Sequence, residues 1–179
     1  MATSSAASAP QDQREQMWVV SFETYYDAYF EELVADRLIN KLGRLDDVTK
    51  VLVALTASGS AISGWVLWGI SGWKYVWLAS SGIAALLSII HTALSIPDRI
   101  KGHADDKRRF AVIRTSLETL RYRLRLERFD ADQFNKEFVD LRRAYSDGIG
   151  LLKSDTFRTK HFEIVAQQDL NQQLKDQIE

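Results

Sequence analysis

The chain has no cysteine, only two prolines and only three histidines in 179 residues. Without a thiol there is no disulfide framework, no cysteine nucleophile and no thiolate metal site. Neither sign of charge dominates: 23 Lys and Arg stand against 24 Asp and Glu, a net charge of −1 that argues against a general nucleic-acid binder. A Gly-rich phosphate loop with its Lys is missing, as is any metal-ligand spacing, and the imidazoles are His91, His103 and His161. Ser, His and Asp all occur, but nothing assembles them, so no catalytic, cofactor or metal site is expected. Residues 1–16 are Ala/Ser/Gln-rich and lack the apolar core of a cleavable signal peptide. They are expected to be disordered, having little apolar surface to offset the entropy of ordering.

What the chain does have is two long apolar stretches, residues 51–70 and 75–96, separated by Ser71-Gly72-Trp73-Lys74. The first, VLVALTASGSAISGWVLWGI, carries no charge, and at about 1.5 Å per residue it reaches roughly the 30 Å of a hydrocarbon core. The second, YVWLASSGIAALLSIIHTALSI, carries only His91 as a titratable group other than its tyrosine. The alternative is a pair of soluble helices buried on all sides. Two in succession favour a transmembrane hairpin over residues 48–97, its first span acting as the insertion signal. Arg37, Lys41, Arg44 and Lys50 precede it and Arg99, Lys101, Lys107, Arg108 and Arg109 follow, against Lys74 alone in the loop. That asymmetry predicts a two-pass inner-membrane protein with both termini cytoplasmic. Trp65, Trp68, Trp73, Tyr75 and Trp77 gather at the outer end, where indole and phenol rings anchor at the headgroups.

The rest reads as cytoplasmic helix, making the chain all-α. In residues 17–47, Trp18, Phe22, Tyr25, Tyr29, Leu33, Leu38, Leu42 and Leu45 recur at near-helical spacing. Gly43 and Asp46-Asp47 are expected to bend or interrupt this helix. Pro97 marks a bend at the exit from the second span. Residues 98–153 form a helical region with two coiled-coil-like seams. One runs through Phe110, Ile113, Leu117, Leu120 and Leu124, the other through Phe134, Phe138, Leu141, Tyr145, Ile149 and Leu152, with a break around Phe129-Asp130. Asp147, Gly148 and Gly150 weaken the end of the second. Residues 154–179 are expected to be a polar tail carrying a weak amphipathic helix.

Charge divides these pieces. Between Arg99 and Arg128 there are ten Lys and Arg against four acids, whereas residues 11–47 hold nine acids against four bases. Opposite fields predict that the acidic first helix lies beside the basic one, in the same or a neighbouring chain. Arg121, Arg123, Arg125 and Arg128 read either as a cytoplasmic docking surface for phosphate or as a face near anionic lipid. Spacing by two scatters them around a helix and favours lipid attraction and interhelix pairing.

Within the spans, Ser81, Ala84, Ala85, Ser88, His91, Thr92 and Ser95 share a face of the second. Thr56, Gly59, Ser60, Ser63 and Gly64 give the first its small and polar positions, with small-xxx-small spacings at Gly59/Ser63 and Ser60/Gly64. These residues are candidates for helix packing or for lining a water-accessible path between protomers of a homo-oligomer. His91 fits a structural hydrogen bond or a snorkelling side chain better than a proton sensor.

The lead-in SFETYYDAYFEELVADRLINKLGRLD, the span opening VLVALTASGSAISGW and the exit SIPDRIKGHADDKRRF resemble those of SLATT domains, small bacterial membrane effectors with two spanning helices. The resemblance runs from about Trp18 to Leu152, in layout and local flavour, without an invariant catalytic motif. It implies a non-enzymatic role in anti-phage conflict. A cytoplasmic sensor or nucleotide-signalling partner would trigger a pore or membrane disruption, and direct nucleic-acid binding is not expected. The alternative is a non-conducting anchor for a cytoplasmic sensor complex.

Overall fold

A computed structural model describes residues 8–66, 75, 79, 82–83, 85–86, 89, 95–126 and 130–176. Among these residues the chain is all-α, with four helices and no strand: α1 Ser8–Val66, α2 Ile96–Leu126, α3 Ala131–Lys153 and α4 Lys160–Asp176. It divides into two compact units, one formed by Met1–Leu38 with His103–Glu179 and the other by Ile39–Gly102.

The first unit is a helical bundle. All five positions of the first predicted seam, Phe110, Ile113, Leu117, Leu120 and Leu124, are buried on α2, and Phe134, Phe138 and Leu152 of the second are buried on α3. Leu141, Tyr145 and Ile149 pack partly buried against them. Burying a side chain of this size stabilises by about 1.5–3 kcal/mol, so these seams dominate the fold. Asp130 caps α3, its Oδ1 accepting hydrogen bonds from the Asp132 and Gln133 amides at 3.2 and 3.3 Å.

On α1 the buried stripe matches the expected one at Tyr25, Leu38 and Leu42 and departs from it elsewhere, with Leu45 exposed. Ser21, Thr24, Tyr25, Ala28, Glu31, Val34, Ala35 and Leu38 are buried, with Ser21, Ala28 and Ala35 seven residues apart. Trp18, Tyr29 and Leu33 flank this stripe partly buried, and Phe22 is exposed. Small side chains let α1 approach its neighbours closely. The hydroxyls at the seam are satisfied by α1 itself, Ser21 donating to the Trp18 carbonyl at 3.0 Å and Thr24 to that of Val20 at 3.2 Å.

Two further expectations need correcting. Helix α1 begins at Ser8, inside the stretch expected to be disordered. Pro10 falls in its first turn, where the missing N–H has no intrahelical partner, and Arg14 is tied to the Leu124 carbonyl. Gly43 and Asp46-Asp47 do not interrupt α1: one helical glycine costs only about 1 kcal/mol, and Asp46 pairs with Lys50 one turn on. The weak amphipathic helix expected within residues 154–179 is α4, which sends Ala166 and Leu170 into burial.

In the second unit, Leu42 and Ile96 are buried, and Thr49 and Asp46 lie on the same buried stripe of α1 as Leu42. Ser95 takes a left-handed φ of 45°, and Pro97 follows in the first turn of α2. The other apolar residues behave differently. Val48, Val51, Leu52, Val53, Tyr75, Ile83, Leu86 and Ile89 are all exposed. Among the described residues no helix is long and apolar enough to cross a membrane. The turn at residues 71–74 and most of the second apolar stretch lie outside those residues, so the described residues establish an all-α fold without extending to the hairpin.

Candidate functional site

The expected opposition of acidic and basic helices is realised inside the bundle, between α1 and α2. Lys107 reaches Asp36 at 2.7 Å and Arg114 reaches Glu32 at 2.7 Å. Arg121 lies over Trp18 at 4.1 Å and Arg125 over the same ring at 4.3 Å. Partners on α1 fall in number as those on α2 rise, so the two helices run antiparallel. Burial opposes the charge on Arg114, but the hydrogen bond and charge of Glu32 outweigh it and hold the guanidinium above its ordinary pKa. Burial is also the main influence on Arg121 and lowers its pKa, with the neighbouring charge of Arg125 acting in the same direction.

A second polar centre closes the bundle around the α3–α4 connection. Glu31 on α1 and Arg158 in the connection are 3% and 7% exposed. Arg158 donates two hydrogen bonds to Glu31, at 2.6 and 3.1 Å, and a third to Glu163 at 2.8 Å. Such a fork satisfies both buried charges at once. Tyr145 packs edge-on against Phe110 at 5.9 Å. Burial, reinforced by the carboxylates of Asp27 and Glu31, holds its phenol far above the usual range. At the start of the same connection, His103 Nε2 meets Asp155 at 3.1 Å, while its Nδ1 lies 3.7 Å from Asp106 with no hydrogen bond. Burial raises the Asp106 pKa, against the lowering influence of His103 and Arg109. Among the described residues no cluster of His, Cys, Asp and Glu is arranged to hold a metal ion.

The predicted cytoplasmic arginines therefore have distinct fates. Arg123 pairs with Glu137 at 2.8 Å and covers Phe134. Arg121 and Arg125 stack on aromatic rings of α1, and Arg128 lies outside the described residues. Of the candidate pore-lining or packing positions, Thr56, Gly59, Ser60, Ser63 and Gly64 fall on α1, with their side chains outside what is described. Ala85 is helical and exposed, Ser95 sits at the turn before α2, and Ser81, Ala84, Ser88, His91 and Thr92 lie outside the described residues. Among the interface anchors, Tyr75 is 67% exposed. Trp65 lies on α1 with its side chain not described, and Trp68, Trp73 and Trp77 fall outside the described residues.

The Glu31–Arg158 pair was not anticipated from sequence. Its partners are 127 residues apart, and local patterning carries no signal for such a contact. Comparison with protein-family models, curated proteins and solved structures finds no match to this chain.

Proposed function

We propose that the chain is a non-enzymatic, two-pass inner-membrane effector whose apolar hairpin assembles into a homo-oligomer and opens or disrupts the bilayer when its cytoplasmic bundle receives a signal. The observation that carries this reading is the exposure of consecutive apolar residues on α1. Val51, Leu52, Val53 and Ala54 are all exposed, and at about 100° between neighbours four successive residues face every side of a helix. A helix packed in a soluble core hides at least one of those sides. Lipid and neighbouring protomers hide all of them without the chain supplying a core of its own.

Tyr75, Ile83, Leu86 and Ile89 of the second stretch support the same reading, since they too are large, apolar and exposed. The resemblance to SLATT domains supplies the setting, bacterial anti-phage conflict with a cytoplasmic sensor or nucleotide-signalling partner as trigger. Two spans cannot enclose water, so conduction requires several protomers.

Dye release from liposomes carrying the purified, triggered protein tests the proposal. Leakage is expected, and replacing Ser60, Ser63, Ser81 and Ser88 by leucine abolishes it. Stable membrane integration without leakage makes the chain a passive anchor. Release from native membranes by alkaline carbonate overturns the membrane reading altogether.

A further inference from the structure

At the end of the α1–α2 pair that holds Arg14 and Leu124 lies an open cavity to which the proposed pore assigns no role. It has a volume of about 370 Å³ and is lined by Arg14, Glu15, Trp18, Leu124 and Arg125, a size within the range of roughly 300–1,000 Å³ typical of small-ligand sites. The arginines around it differ from others on the same helix. Arg114 and Arg123 each pair with a carboxylate at 2.7–2.8 Å. Among the described residues Arg121 and Arg125 have no such pair and lie against aromatic rings, Arg121 over Trp18, Phe22 and Tyr25 and Arg125 over Trp18. The Nε of Arg121 is buried without a hydrogen-bond partner. Arg14 spends its Nε on the Leu124 carbonyl, which fixes its fork at the cavity and leaves the terminal nitrogens to donate.

Two guanidinium groups, those of Arg121 and Arg125, thus lie over one indole, and Arg14 lines the cavity beside them with Glu15 as the acid in the lining. Cation–π contact holds arginines in place without cancelling their charge. Arg14 and Arg125 against Glu15 leave the lining with an excess of one positive charge, which is unfavourable to the protein alone and favourable to an anion. A guanidinium fork matches phosphate oxygens in pairs, and stacking on Trp18 and Phe22 limits the entropy lost when it engages.

We propose that this cavity binds a small phosphate-bearing ligand, its phosphate held between Arg14 and Arg125, with Arg121 supplying charge from behind Trp18. A phospholipid headgroup offers the same chemistry. The free ligand is favoured because Trp18 precedes the first apolar stretch by 33 residues of sequence. The proposal stands apart from the pore reading, since ligand binding and leakage are read by different measurements.

Calorimetric titration of the full chain in neutral detergent with pyrophosphate, ATP and adenosine tests it. Pyrophosphate and ATP are expected to bind, more weakly as salt rises, and adenosine is not. Arg14→Gln and Arg125→Gln each weaken binding at least about tenfold, a loss of about 1.4 kcal/mol, whereas Arg143→Gln, at an exposed position on α3, leaves it unchanged. Circular dichroism confirms that the variants retain their helices. Equal binding by adenosine, or unchanged affinity in both folded variants, overturns the proposal. So does binding to phosphatidylglycerol vesicles through the same arginines with no response to pyrophosphate or ATP, which assigns the site to lipid.

Discussion

Phe110 and Leu52 are both large apolar residues on long helices, yet the first is fully buried and the second is 40% exposed. The difference lies in their neighbours. Around Phe110 the sequence supplies a second helix with a matching seam, a glycine at the contact and charges that pair at the margins. Around Leu52 it supplies further apolar residues, and Val48, Val51 and Val53 beside it are exposed as well. A bundle closes because polar residues bound its apolar stripe, and a stripe without a polar boundary has nowhere to stop within one chain. On the proposed reading the two regions meet different surroundings, with lipid or other protomers around the second.

The sharpest way to break that comparison is to place a charge in the exposed apolar region. Leu86 is 61% exposed and lies near the middle of the second stretch. If it faces lipid, Leu86→Lys costs about 2.5–3.5 kcal/mol of insertion free energy, and the carbonate-resistant fraction of the protein falls sharply. If it faces water, the change stays within about 0.5 kcal/mol, as most surface substitutions do. An unaltered membrane fraction removes the distinction between the two regions.

On the bundle side, the largest effect belongs to Glu31. Glu31→Ala leaves the Arg158 guanidinium 7% exposed with Glu163 as its remaining partner, and breaking a buried pair on one side costs about 3–5 kcal/mol. Unfolding followed by circular dichroism measures the loss, and hydrogen exchange at Phe110 and Leu117 locates it in the bundle. Glu31→Leu combined with Arg158→Met removes both charges together and should recover most of the stability, because apolar replacement of a whole buried pair is often neutral. A loss below about 1 kcal/mol in Glu31→Ala would mean that the pair behaves as a surface one.

The same contrast explains what could be read from the residues. The seams of α2 and α3 were legible because Phe110, Leu117, Phe134 and Leu152 are large, apolar and regularly spaced. The seam of α1 was legible in part: Tyr25, Leu38 and Leu42 are buried as expected, but the inner positions Ser21, Ala28, Glu31 and Ala35 are small or polar, and the conspicuous Trp18 and Phe22 sit at its flank beneath arginines. Helix α4 could be read only as a weak amphipathic helix in a polar tail because Gln and Asn dilute it. Ala166 and Leu170, one turn apart and both buried, were the available signal. The opposition of acidic and basic helices could be read because net charge survives ignorance of register. The single arginine that closes the connection could not, since only the fold brings Arg158 to Glu31. The arginine cavity was half legible: the cluster was visible, but the ring that gathers it lies more than a hundred residues earlier.

Glycine offers the smallest and most selective comparison between the regions. At Gly148 in α3, an added Cβ would stand 3.1 Å from Arg109 Cδ and 3.3 Å from Phe110 Cζ. The arginine can swing aside, but Phe110 is fully buried with Tyr145 against its ring. Replacing a helical glycine by alanine otherwise gains roughly 0.5–1 kcal/mol, so Gly148→Ala is expected to forfeit that gain, and Gly148→Val to destabilise by about 1–3 kcal/mol through overpacking. At Gly82, in the apolar region, an added Cβ meets nothing within 4 Å. Gly82→Ala should therefore keep the full helical gain in any measurement that reads the single chain. Its effect on the mass of the detergent-solubilised oligomer is the discriminating quantity. Unchanged mass leaves Gly82 facing lipid, whereas a smaller assembly identifies contact from another protomer, because the described part of the chain puts nothing there to clash.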